Sequence, residues 1–142
     1  MSIICDIDGT IADHAEERGH FDWHLVHTDS RIEPIVRLVN ILRQHHAVLF
    51  VTGREDSCSM ATNLWLSETF KWYLGQSRIL LPTLFMRETG DQRSDTVVKR
   101  EIYESHIAPH WNIELVLDDR DSVVAMWREL GLTCLQTRPG LF

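Results

Sequence analysis

The residues best able to do chemistry come in short, regularly placed sets. Asp6 and Asp8 stand one residue apart at the end of the apolar stretch SIIC, with Gly9 and Thr10 directly after them. Near the other terminus IELVLDDRD brings Asp118 and Asp119 to the end of a second apolar stretch in the same way. Between these, HAVLFVTGR ends on a hydroxyl, a glycine and a cation (Thr52, Gly53, Arg54), and TLFMR ends on Arg87. Three or four carboxylates gathered without neutralisation would repel one another. A hard divalent cation resolves this, and donors that are all oxygen suit Mg²⁺. With a hydroxyl and arginines added, the set matches phosphoryl transfer, which needs positioning and charge neutralisation more than covalent apparatus. A carboxylate can also attack phosphorus directly and carry the group as an aspartyl-phosphate. A second carboxylate two residues on, turned by Gly9, can protonate the leaving oxygen and later activate water.

For these residues to meet, the elements carrying them must end at one edge. Apolar runs predict strands at SIICDI, at 46–52, after Pro82 within 80–87, at 113–118 and at 133–137. Helical spacing fills the gaps. The segments are 32–44, 57–74 with Ser57 as N-cap, 94–107 capped by Ser94 or Asp95, and 121–131 opened by Asp121 and closed by Gly131. Strand–helix alternation of this kind implies an α/β fold with an open, mainly parallel five-stranded sheet and helices on both faces. Ligands bind such sheets beyond the carboxyl ends of the strands, where the residues above are placed.

Composition narrows the class. With 142 residues, 44% hydrophobic and 25% charged, the chain reads as one globular domain over 1–142. No apolar run suits a bilayer or a secretion signal, and Cys5, Cys58 and Cys134 form no disulfide framework. The expectation is a cytoplasmic protein with reduced thiols and no membrane partner. A net charge of −7 argues against non-specific wrapping of nucleic acid, but not against arginines placed to read one phosphate end.

DIDGT, VTGR, the lysine of DTVVK and LDDRD, in that order, resemble the haloacid dehalogenase superfamily of aspartate-nucleophile phosphatases. MRETGDQRSDTVVKREI and the run from HIAPHW to the last residue look like the 3′-phosphatase domain of phage polynucleotide kinase–phosphatase. The resemblance implies a Rossmann-like fold of that superfamily and a Mg²⁺-dependent removal of terminal 3′-phosphates from DNA or RNA, in end repair. It implies Asp6 as nucleophile and Asp8 as general acid and base, with the metal held by Asp6, Asp119 and the main-chain carbonyl of Asp8. Thr52 would bond a phosphoryl oxygen, Lys99 would neutralise the phosphoryl oxygens and Asp6, and Asp118 would support Asp119 or orient Lys99. Arg18, Gly53, Arg54, Arg87 and Asp95 complete the substrate-binding set it implies. Here the Arg18 loop reads RGHFD, one residue longer than the family's. A homodimer and a separate kinase or ligase chain stand as partners the resemblance leaves open.

Departures and competing readings limit these implications. No Gly-Lys pair is present, so the kinase half is expected to be absent. Residues 13–31 and 55–79 leave no room for a cap domain, and an uncapped site suits a polymer end. The alternatives are a general phosphatase of nucleotides or other small phosphomonoesters, and a non-catalytic module that binds nucleic-acid ends. Gly-Thr-Ile-Ala after Asp8 departs from a calcium loop, and Ile11 stands where a cysteine phosphatase at Cys5 would need arginine, leaving Cys5 a core residue. HFDWH and HIAPH lack a zinc-protease glutamate, and their histidines read as surface or hydrogen-bonded. Trp65, Trp72 and Trp127 are expected in the core, and Trp23 either stacks on a base or packs its loop. Arg120, Arg128 and Lys71 read as solvated charges.

Overall fold

The computed structural model describes residues 1–14, 18–71, 73–74, 78–79 and 81–141, with backbone alone at 73–74 and 78–79. Its five main strands are β1 (Ser2–Cys5), β2 (Ala47–Glu55), β3 (Thr83–Arg87), β4 (Ile113–Asp118) and β5 (Cys134–Gln136). All neighbouring pairs are parallel, in the order β3-β2-β1-β4-β5. Among the described residues four helices connect them: α1 (Glu33–Leu42), α2 (Ser59–Phe70), α3 (Asp95–Ile102) and α4 (Asp121–Glu129). Strands alternate side chains between faces, and the burial follows that period of two. Ile4, Leu49, Val51 and Val116 pack on one face with Val98 of α3 and Val123 and Trp127 of α4. Cys5, Val48, Phe50 and Leu117 pack on the other with Val36 and Val39 of α1 and Trp65, Leu66 and Phe70 of α2. Cys5, Trp65 and Trp127 are therefore core residues, while Trp72 lies outside the described residues.

The strand order reverses at β1. The chain moves outward through β2 and β3, then α3 crosses back to place β4 on the other side of β1. That reversal opens a crevice at the carboxyl end of β1, where side chains from both halves converge. Register aligns Cys5 with Phe50 and with Leu117, so Asp6 enters the crevice level with Val51 and Asp118, and its amide donates to the Leu117 carbonyl at 2.9 Å.

Several boundaries differ from the sequence expectation for local reasons. Strand β2 continues through Thr52, Gly53 and Arg54 to Glu55, with an irregular register against β3 after Val51. Helix α2 starts at Ser59 after a short 3₁₀ turn, with Cys58 rather than Ser57 at the cap position. It stops at Phe70 because Lys71 adopts the left-handed conformation (φ 51°). Helix α3 widens after Ile102 into a π turn, closed by Ala108 N–H donating to the Tyr103 carbonyl at 2.8 Å. Arg120 caps α4, and Asp121 is its first helical residue. The segment between β1 and α1 holds a two-residue antiparallel ribbon (Ala12–Asp13 with Ser30–Arg31) and a 3₁₀ segment, and no cap domain is evident among the described residues. No helix is long and apolar enough to cross a membrane among those residues.

Candidate active site

Immediately after β1 the chain must turn without leaving the crevice. Gly9 makes that turn at φ +83°, and a Cβ there would stand 2.1 Å from Asp119 Oδ2, so turn and close approach both require glycine. The turn is closed by the Ile11 and Ala12 amides donating to the Ile7 carbonyl at 2.9 Å each. It leaves Asp6 and Asp8 projecting into different surroundings.

Asp6 is buried. Its Oδ1 accepts from Lys99 Nζ at 2.7 Å and its Oδ2 from the Thr10 hydroxyl at 3.1 Å. Lys99, one turn into α3, also donates to Asp118 Oδ2 at 2.9 Å. The same Asp118 oxygen accepts from Trp127 Nε1 at 3.2 Å, while Oδ1 takes the Asp119 and Arg120 amides. Asp118 is thereby fixed on all sides and in turn fixes Lys99. Burial alone would lower the pKa of Lys99, but Asp118 and Asp6 outweigh it and the shift is upward, so the ammonium stays charged. Burial raises the pKa of Asp6, and Asp118 and Asp119 add to this; Lys99 pulls the other way without cancelling it. Burial and Asp118 likewise raise Asp119, with Arg138 partly offsetting them.

Repulsion from neighbouring carboxylates thus adds to burial in both upward shifts. Asp6, Asp118 and Asp119 bring carboxylate oxygens within 4.8 Å of one another, a group of hard donors that fits a divalent cation. Asp118 is held by Lys99, Trp127 and main-chain amides; Asp6, held by Lys99 and Thr10, and Asp119 are the other side chains of the group that would hold the ion.

Asp8 belongs to a second cluster. Arg54 grips it through both oxygens, Nε to Oδ2 at 2.9 Å and Nη2 to Oδ1 at 2.7 Å. Arg18 Nη2 reaches Oδ1 at 3.3 Å and donates to His14 Nδ1 at 2.9 Å. Beneath them Asp29 joins the two arginines: Arg18 Nε lies 2.7 Å from Oδ1, and Arg54 Nη2 lies 2.6 Å from Oδ2. Burial would raise the pKa of Asp8, but hydrogen bonds and charge from Arg54, with help from Arg18, bring it below the usual carboxylate value. Thr52 is buried, and its hydroxyl oxygen accepts the Arg54 amide at 3.2 Å.

A third group forms the rim. Arg87 donates Nε to the Gly53 carbonyl at 2.9 Å and Nη1 to the Asp91 carbonyl at 2.9 Å, and pairs through Nη2 with Asp95. Asp95 also meets Arg120 Nη1 at 2.9 Å, and a Cβ on Gly53 would come within 2.6 Å of its carboxylate. Arg120 is thus tied to the site rim, and Arg128 donates to the Cys134 carbonyl at 3.1 Å, so neither is the merely solvated charge that sequence suggests. Trp23 is half-buried and meets the exposed Phe21 edge to face at 6.0 Å.

All eleven residues expected at the site fall at this one edge. Asp29, Trp127, His14 and Arg138 were not legible as site residues. Asp29 looks like an ordinary acid before a helix, and Trp127 like a core aromatic; only the partner across space reveals either. Residues 1–142 match the family described as "Polynucleotide kinase PNKP phosphatase domain". A "Putative bifunctional polynucleotide kinase/RNA ligase" of Autographa californica nuclear polyhedrosis virus is 29% identical over 133 residues, which is 92% of this chain and 18% of that protein. Two solved chains, from "Structure of the Pnkp1/Rnl/Hen1 RNA repair complex" and "Structure of Pnkp1/Rnl/Hen1 complex", each superpose with a TM-score of 0.82 at 32% identity. Both cover 99% of this chain but only 43% and 47% of their own length, so it spans less than half of the relatives it matches. A family match along the whole chain coincides with a buried aspartate, lysine and aspartate pair at the sheet's switch point, and the chain belongs to the polynucleotide kinase PNKP phosphatase-domain family.

Proposed function

We propose that the chain is a Mg²⁺-dependent phosphatase that removes the terminal 3′-phosphate of DNA or RNA through an aspartyl-phosphate on Asp6. The observation that carries this reading is the Asp6–Lys99–Asp118 chain of ion pairs beside Asp119, with Asp8 two residues on and held separately. Asp6 attacks phosphorus, the bond to the 3′ oxygen breaks, and Asp8 gives that oxygen a proton. Water then attacks the phosphoryl group and passes a proton to Asp8; the bond to Asp6 breaks and inorganic phosphate leaves. Lys99 orients Asp6 and offsets charge on the phosphoryl oxygens, and Thr52 offers its hydroxyl to one of them. A divalent cation held by Asp6, Asp119 and the Asp8 carbonyl would supply further charge neutralisation there. In the free chain Arg54 and Arg18 keep Asp8 ionised; a phosphate dianion bound beside Asp8 raises its proton affinity, so that Asp8 takes from solvent the proton it then donates.

The absence of a cap among the described residues supports a polymer end as substrate. The viral relative's description as a kinase/RNA ligase, and the RNA repair complex containing the similar structures, support nucleic-acid ends. They also support a kinase or ligase activity as the partner that uses the product. One observation favours the broader reading of a general phosphomonoesterase. The guanidinium groups of Arg18, Arg54 and Arg87 are buried and engaged with protein oxygens, so they hold Asp8 and Asp95 rather than reach outward. Initial rates on 3′-phosphate oligonucleotides, 5′-phosphate oligonucleotides and sugar phosphates separate the two. A preference for 3′ ends is expected, and preference for either of the others would defeat the polynucleotide assignment. Asp6→Asn should abolish turnover of every substrate, and wild-type-like hydrolysis by it would refute the nucleophile.

A further inference from the structure

We propose that Arg138, in the tail after β5, is the residue by which this site holds a polynucleotide beyond the phosphate being removed, through an internucleotide phosphate. The inference rests on the phosphatase reading above. It begins from a deficit: a polyanionic strand must be received by a chain of net charge −7. The arginines at the strand ends are closed in. Arg18 and Arg54 have no exposed side-chain surface, and their donors are taken by Asp8, Asp29, Gly19 and Thr62. Arg87 is spent on Gly53, Asp91, Arg93 and Asp95. Arg120 is paired with Asp95 at hydrogen-bond distance.

Arg138 differs in each respect. Its side chain is 44% exposed. Its nearest carboxylates are Asp119 Oδ2, 3.5 Å from Nε, and Asp13 Oδ1, 3.7 Å from Nη1. Both contacts are longer than a well-formed hydrogen bond, so the planar fork is available to an acceptor that fits it better. A phosphate does, with two oxygens spaced for parallel N–H donors. Position follows from the same contacts. Asp119 shares its carboxylate cluster with Asp6, so Arg138 sits one contact further out than the group that Asp6 attacks. That is the place of the next phosphate along the strand.

The backbone around Arg138 is anchored although its side chain is not. Gln136 Nε2 donates to the Asp119 carbonyl at 2.9 Å and to Asp121 Oδ1 at 2.6 Å. The Thr137 amide donates to the Asp118 carbonyl at 3.0 Å. Past Arg138, Asp121 N–H donates to the Gly140 carbonyl at 2.8 Å, and Gly140 N–H donates to Asp121 Oδ1 at 3.3 Å. The tail is therefore fastened on both sides of Arg138 to the loop that carries Asp119, which limits the entropy lost when the side chain pairs with a phosphate.

The test measures binding and turnover in the full chain. In the Asp6→Asn background, Arg138→Gln should weaken binding of a 3′-phosphorylated single-stranded oligonucleotide about tenfold by fluorescence anisotropy. The slope of log affinity against log salt should become shallower by about 0.7, the value for one lost phosphate contact on a single strand. In the active chain, Arg138→Gln should cost about tenfold more in kcat/KM on that oligonucleotide than on p-nitrophenyl phosphate. The aryl phosphate controls for any effect on Asp119, which would fall on both substrates alike. Equal losses on the two substrates, or an unchanged salt slope, would overturn the proposal. If Arg138→Gln fails to fold, Arg138→Lys carries the test: it should keep the salt slope and bind with intermediate affinity, and full affinity would overturn the fork. Failure of the Asp6→Asn chain to bind any oligonucleotide, while the wild type hydrolyses p-nitrophenyl phosphate, would overturn the polynucleotide reading and this proposal with it.

Discussion

Asp29→Asn is the substitution whose consequence can be worked most directly from the structure. The Asp29 side chain has no exposed surface and is the shared counter-ion of Arg18 and Arg54, at 2.7 and 2.6 Å. With Asp8, the pocket holds two carboxylates against two guanidinium groups. Asparagine keeps the shape but leaves one positive charge uncompensated among buried groups. Each ion pair is worth about 4 kcal/mol at an effective dielectric of about 20, and part is recovered because Asp8 still faces both arginines. Removing one partner of a buried pair costs about 3–5 kcal/mol in general. For a chain of this length the unfolding entropy is about 0.3 kcal/mol per degree, so the melting temperature should fall by about 10–17 °C. Thermal unfolding followed by circular dichroism reads this directly. The main-chain bond from Trp65 Nε1 to the Asp29 carbonyl (2.9 Å) is untouched by the change, so the effect isolates the carboxylate. Adding Arg18→Met to Asp29→Asn removes the orphaned charge and should recover about 1–3 kcal/mol of coupling. A single variant melting within about 3 °C of the wild type, or a double variant less stable than additivity predicts, would refute the reasoning.

Other outcomes follow from the same contacts. Trp127→Phe removes one donor from Asp118 and should lower kcat about tenfold, or about 1.4 kcal/mol, with KM nearly unchanged. Phe70→Leu, in the opposite core, should lower the melting temperature without that loss, and steady-state kinetics on both variants checks it. Mg²⁺ at a hundredfold excess over its dissociation constant should stabilise the chain by about 2.7 kcal/mol, raising the melting temperature about 9 °C. Asp119→Ala should erase that rise in a calorimetric scan. The pKa of Asp8 is lowered in the folded chain, so its contribution to stability is present above about pH 3.9 and is lost as pH falls through the lower folded value. The difference in urea midpoint between wild type and Asp8→Asn should therefore be widest near neutrality and shrink below about pH 4; a gap that widens on acidification would contradict the ion-pair assignment.

What the sequence determined by itself is the frame and the chemistry-bearing ends. A near-continuous apolar strand buried on both faces announces itself without reference to neighbours. SIIC, HAVLFV and IELVL therefore mark strands, and the residues that follow them mark the functional edge. Oxygen-only donors at Asp6, Asp8 and Asp119 limit the chemistry before any distance is known, and the motif order carries the family. Local signals failed where a boundary is set by something distant or by a single dihedral. Lys71 ends α2 in a left-handed conformation that no residue type predicts, and β2 runs through Gly53 because β3 and Asp95 stand beside it. Tertiary structure alone decided the roles of the charges. Arg18, Arg54 and Arg87 read alike as cations near a phosphate, yet burial against Asp8, Asp29 and Asp95 turns them inward. Arg138 stays exposed because its carboxylates lie too far away to engage it fully. Counter-ion choice depends on which side chains the fold brings within about 4 Å, where Coulomb energies in a partly dry pocket outweigh the entropy of one rotamer. That distance is a property of strand order and register, and linear spacing does not contain it.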